Sequence, residues 1–194
     1  MTLIRNIALA GTLCFTLTAC QESTPKSVTD EPETASIFSV DETPHAQLSG
    51  NVIPQAYRLN MRMNPDDDGF SGLVEIDVDI QKPTNKIWMH GKHMTVSSAV
   101  ALIDGAEIPL NFTEMPHQSA PSGIANLSSD TVLSAGKATL KIAYETPYNQ
   151  ALNSAYQVKR NGEGYIVTQF EPLGAREAFP SFDEPKYKLS LIHI

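Results

Sequence analysis

Polar and apolar residues alternate along several short runs of this chain, and no run holds a helical period for long. Tyr57, Leu59, Met61 and Met63 are each separated by one polar residue, which predicts a strand with one buried face. Residues 70–80 predict a second strand, with Val74, Ile76, Val78 and Ile80 on one side and Glu75, Asp77 and Asp79 on the other. Between them, Asn64, Pro65, three aspartates and Gly69 make a turn. The aspartates lack the D-x-[DN]-x-[DN]-G spacing of a calcium loop, so a solvated hairpin turn is the better reading. Pro83 and Asn85 end the second strand, and residues 87–89 form a short apolar stretch. Residues 95–103 and 107–112 read as a hairpin around Asp104 and Gly105.

After residue 110 the periodicity fades, to return at 137–144 through Ala138, Leu140 and Ile142. Residues 165–170 predict a last strand, entered through Gly162 and Gly164. Only residues 172–179 offer a short helix, with Pro172 in its first turn. Short strands with turn signals between them predict an all-β fold, a β-sandwich.

The first 50 residues have a different texture. Arg5 precedes an apolar run at 7–17 that is too short to span a bilayer, as in an export signal. The run ends in Leu17, Thr18, Ala19 and Cys20, which resembles the lipobox of bacterial lipoproteins. That resemblance implies cleavage after residue 19 and lipid on Cys20, and it is preferred to an ordinary signal peptide with an incidental cysteine. Gln21, where Asp would favour inner-membrane retention, points to the periplasmic side of the outer membrane. Residues 20–50 are rich in Ser, Thr, Pro, Asp and Glu and read as a disordered tether. Residues 51–194 remain as one domain, long enough to bury roughly 68–70% of its unfolded surface.

Charge and cysteine usage narrow the classes. The net charge of −8, with no basic run, excludes nucleic acid as a partner. Both cysteines, Cys14 and Cys20, precede the domain, which rules out a disulfide framework or a cysteine zinc site within it. His90 and His93 have a two-residue gap but no third ligand nearby in sequence, so a turn is preferred to a metal site.

The densest stretch lies near the C-terminus: Thr168, Gln169, Phe170, Glu171 and Pro172, then Ala175, Arg176, Ala178, Phe179, Pro180, Phe182, Asp183, Glu184 and Pro185. It resembles the signature T-Q-F-E-P-x-x-A-R-x-A-F-P-C-F-D-E-P that closes the N-terminal domain of the M1 family of zinc aminopeptidases. Ser181 departs from it, standing where the family usually has cysteine. Ile53, Pro54, Tyr57 and Leu59, then Phe70, Gly72, Val74 and Ile76, are similar to the family's opening pattern. Leu152, Asn153 and Tyr156 are similar to its lead into T-Q-F-E-P.

The resemblance implies a saddle-like N-terminal β-domain and a peptide substrate with a free amino end. It implies that Gln169 and Glu171 line the pocket for the first residue, sharing one side of a strand, with the glutamate holding the α-ammonium. Arg176, Asp183 and Glu184 are expected to be structural, with Arg176 paired to one of the two carboxylates. Phe179 and Phe182 are expected in the core.

Zinc belongs to the intact enzyme. The family holds it with H-E-x-x-H and a later glutamate, and neither this motif nor G-x-M-E-N occurs in the chain. The chain is therefore expected to bind no zinc, to be inactive alone, and to be a fragment whose catalytic domain is missing. Residues 189–194 read either as the strand that follows the motif or as sequencing-adapter codons translated across an assembly break. The alternative function is a non-catalytic β-sandwich lipoprotein that binds peptides or a surface partner. A transporter's substrate-binding lipoprotein fits worse, because such proteins are longer and α/β.

Overall fold

The alternating runs pair through their apolar sides. The computed structural model describes residues 43–44, 47–116, 123–187 and, as backbone alone, 191–193. Within them the strands are β1 (Val52–Arg62), β2 (Gly69–Ile80), β3 (Thr84–His90), β4 (Thr95–Ile103), β5 (Ala106–Pro109), β6 (Asn111–Glu114), β7 (Ile124–Leu133), β8 (Gly136–Pro147), β9 (Ser154–Arg160), β10 (Glu163–Gln169) and β11 (Leu191–His193). The large sheet has the order β11-β1-β2-β8-β4-β5, a second has β3-β7-β6, and β9 and β10 pair as a hairpin. The pairings are antiparallel except β1 with β11.

Register sets the core. Val74 and Ile76 lie opposite Leu59 and Tyr57 on one side, and opposite Ile142 and Leu140 on the other. All are buried on one face and join Ile87, Met89, Ile124 and Leu127 of the second sheet in a single hydrophobic cluster. The expected all-β class holds. Tyr144 lies over Gly72, where an added Cβ would come within 2.5 Å of the phenol oxygen, so only glycine fits beneath that ring.

The other face of the large sheet is a charge ladder. The Arg58 guanidinium donates to Glu75 at 2.8 Å and to both oxygens of Asp77 at 2.6 and 2.8 Å, and Lys141 approaches Glu75 at 3.3 Å. Hydrogen bonds from Arg58 hold both carboxyls below their usual range.

Several elements differ from expectation. The run at 107–112 breaks at Leu110, whose N–H donates to Ala99 O at 2.9 Å. There the chain leaves the large sheet at β5 and enters the other at β6. Strand β7 had no alternating signal, because Ile124, Ala125, Asn126 and Leu127 are all buried and residues 130–132 are all exposed. Strand β9 was not predicted either, since past Ser154 and Ala155 it has no fully buried residue. The helix expected at 172–179 is a single 3₁₀ turn, Ala175–Glu177. Leu48, ahead of Asn51, is buried against the core. Cys20, the lipobox and most of the tether lie outside the described residues, as do residues 188–190 and 194. No helix among the described residues is long and apolar enough to cross a membrane.

Candidate functional site

The signature stretch divides into an exposed tip and a buried base. Hairpin β9–β10 turns at Asn161 and Gly162, with φ of 54° and 86°. Its second strand ends at Gln169, so Glu171 lies past the strand, in a turn behind a cis peptide to Pro172. The expectation that Gln169 and Glu171 share a strand face is corrected accordingly: they flank a strand end. Between them Phe170 turns inward and meets Phe179 edge-on at 5.8 Å. The chain then tightens, with Gly174 N–H donating to Phe170 O at 2.7 Å. Gln169 and Glu171 are both exposed.

The base is pinned from several elements. Arg176 is buried; its Nε donates to Asp183 Oδ2 at 3.0 Å and its Nη2 to Asp183 O at 2.8 Å. This is the expected ion pair. Glu177 takes Lys92 Nζ at 2.6 Å and the Asn149 amide, and its carbonyl accepts from Thr146 Oγ1 at 3.2 Å. Phe179 and Phe182 are buried, as expected, and the N–H of Phe182 donates to Tyr57 Oη at 2.9 Å. Leu48 N–H donates to Glu184 Oε1 at 2.5 Å, tying the first residues of the domain to the signature.

His90, expected in a turn, is instead a linchpin of the base. It ends β3, and its backbone exchanges two hydrogen bonds with Ser181, at 2.7 and 2.9 Å. Its Nδ1 accepts the N–H of Asp183 at 3.1 Å. Burial first, then the charges of Arg176 and Lys186, lower its pKa to about 3. The imidazole is thus neutral, as an acceptor nitrogen requires. His93 has a φ of 61° in the connection to β4, in keeping with the turn. Among the described residues no three His, Cys, Asp or Glu side chains come together as a metal group. No chemical step is assigned to a metal in the described residues.

A tip of one amide and one carboxylate on this base offers the kind of groups that hydrogen-bond a cation. The chain belongs to the M1 peptidase family: residues 53–192 match the Peptidase M1 N-terminal domain. It is similar to Aminopeptidase M1-A of Oryza sativa subsp. japonica, with 33% identity over 151 residues, covering 74% of this chain and 17% of that protein. Human endoplasmic reticulum aminopeptidase 1 shows 34% identity over 154 residues, covering 74% of this chain and 16% of that protein. Mouse glutamyl aminopeptidase shows 25% over 159 residues, covering 76% and 17%. The chain thus spans about one sixth of the length of these relatives.

Proposed function

We propose that this chain is the substrate-capping N-terminal domain of a zinc aminopeptidase anchored to the bacterial envelope by lipid on Cys20. The observation that carries the reading is the division of the signature. Its base is fixed by Arg176, His90 and Tyr57, while Gln169 and Glu171 stay exposed beside it. An exopeptidase must register the scissile bond one residue from a positive amino end. A carboxylate on a rigid base does this through charge-assisted hydrogen bonds to the α-ammonium. Gln169 supplies a neutral amide alongside.

The metal belongs to a portion of the enzyme outside this chain, where bound zinc would polarise the carbonyl and the attacking water. This domain contributes binding and register. The lipid and the tether would hold the enzyme at the membrane, where two or more acyl chains give stable anchoring.

The test begins with the source locus, read across the codon for Lys188 and expressed as the whole reading frame. In that product Glu171→Gln should lower kcat/KM for a free-amino aminoacyl anilide roughly 10- to 150-fold, the worth of one charged hydrogen bond. Unchanged kinetics would remove Glu171 from the amino end. A stop codon after Ile194 would remove the enzyme reading for this gene and favour the non-catalytic lipoprotein.

A further inference from the structure

Three aromatic rings form a column beneath the exposed tip. Phe170 meets Phe179 at 5.8 Å with an interplanar angle of 88°, and Phe179 meets Tyr57 at 6.4 Å and 67°. Both pairs are edge-on and fall within the centroid range of about 4.5–7 Å where that arrangement is favoured. Phe179 and Tyr57 are buried, while Phe170 is half-buried. Tyr57 stands on β1, opposite Ile76 of β2, and its oxygen accepts the N–H of Phe182. The column therefore runs from the large sheet, through the buried base, to the residue between Gln169 and Glu171.

Among the described residues, the side chains of Gln169 and Glu171 make no hydrogen bond or ion pair, and both are exposed. Their direction is set by the backbone that carries them. That backbone is placed by three contacts. Gln169 pairs with Ser154 at the end of the β9–β10 ladder. The N–H of Gly174 donates to Phe170 O at 2.7 Å and closes the loop. Gly174 itself packs under the strand end, where an added Cβ would come within 2.7 Å of Gln169 O and 2.9 Å of Asn153 Oδ1. These contacts set where the segment sits. The Phe170 ring sets which way it faces, because a ring drawn inward leaves the side chains on either side of it turned out.

We infer that Phe170 and Phe179 are positioning residues for amino-end recognition, with Phe179 the strut that holds the Phe170 ring and so aims Gln169 and Glu171. The inference rests on the proposed function and adds to it a route by which the large sheet sets the aim of the tip. Phenylalanine suits this part. Its ring has two side-chain torsions and an edge-to-face preference, so the pair holds a direction. Leucine would fill the same space without fixing one.

The experiment uses the whole reading-frame product carrying Phe170→Leu or Phe179→Leu. A merely destabilised enzyme loses active molecules, and with them apparent kcat, but keeps its KM. Misdirected recognition groups act on KM. Both variants should raise KM for a free-amino aminoacyl anilide about tenfold, with kcat per folded molecule little changed. Phe170 is half-buried, so its variant carries the test even if Phe179→Leu fails to fold. Leu133→Ala is the control: Leu133 is fully buried at the opposite end of β7 from Ile124, which pairs with His90. It should lose stability to the cavity and keep its KM. In a Glu171→Gln or Gln169→Ala background the leucine variants should cost less than they do alone, because a group they misdirect is already gone. If Phe170→Leu keeps its circular dichroism and its KM, the inference is overturned. It is equally overturned if the leucine effects multiply in full with those of both tip variants. An effect of Glu171→Gln beside a silent Phe170→Leu would keep the proposed function and overturn the column. A silent Glu171→Gln beside a raised KM in Phe170→Leu would end the role of that carboxylate and leave the column aiming Gln169.

Discussion

The hairpin β9–β10 and the segment at 175–185 adjoin in the chain, yet they are built in opposite ways. The segment is short of regular structure but rich in ties: Arg176 to Asp183 within it, and Ser181 to His90, Phe182 to Tyr57 and Glu177 to Lys92 across the chain. The hairpin is regular, with a continuous ladder from Glu163↔Arg160 to Gln169↔Ser154, but much of its surface faces solvent. Secondary structure and stability are therefore separate properties here. The irregular segment should carry the folding energy, and the regular hairpin should contribute less to it. Substitutions can break or sharpen that contrast.

Arg176→Ala should have the largest effect. The Arg176–Asp183 pair has side-chain exposures of 10% and 13%, and removing the cation strips a largely buried carboxylate of its charge partner, leaving the backbone N–H of residue 176 at 3.3 Å. A loss of about 3–5 kcal/mol is expected, read as a drop in the urea midpoint with unchanged slope. A loss under about 1 kcal/mol would show that the segment is not the anchor its geometry describes.

Acid should loosen the same anchor. The folded pKa of His90 is lowered to about 3, while the unfolded imidazole titrates near its ordinary 6.5. Between those values the unfolded chain holds a proton that the folded chain does not. Stability is therefore complete above about pH 6.5 and falls as pH drops through this window, at up to roughly 1.4 kcal/mol per unit. Glu75 and Asp77, held low by Arg58, add a further loss once pH falls below the ordinary carboxylate range. Urea midpoints between pH 7 and pH 4.5 measure the slope. It should flatten in His90→Gln and persist in Glu75→Gln; the reverse result would move the acid sensitivity to the charge ladder.

Legibility in the sequence follows the same divide. Strands β2 and β8 could be read because one face is buried and the other wet, so Val74, Ile76, Val78 and Leu140 alternate with charges. Strand β7 could not, because its first four residues are buried together and no period of two survives. The Arg176–Asp183 pair was legible because its partners are near in sequence and opposite in charge. The His90–Ser181 bridge was not, because no local pattern reports a contact between distant parts of the chain. Gln169 and Glu171 are singled out only by the family signature, and a strand period does not report that the strand ends between them.

Ser181→Cys probes the anchor more gently. Ser181 is 3% exposed, and its hydroxyl is without a hydrogen-bond partner among the described residues. A buried, unpartnered hydroxyl costs about 1–3 kcal/mol, whereas a thiol of similar size behaves as a small hydrophobe. The variant, which restores the residue usual in the family signature, should gain about 1 kcal/mol in urea unfolding. Unchanged or lower stability would mean that the hydroxyl is satisfied in solution.

The smallest effect is expected where the structure is most regular. Val158 is 37% exposed, and threonine keeps its branching, its volume and its strand preference. Val158→Thr should therefore leave the stability of this chain within about 0.5 kcal/mol of wild type. That near-silence is informative because a Val158 packed within the chain would lose more when one of its methyls became a hydroxyl. A loss near that of Arg176→Ala would show that the hairpin face is already packed within the chain. The contrast between anchor and hairpin would then fail.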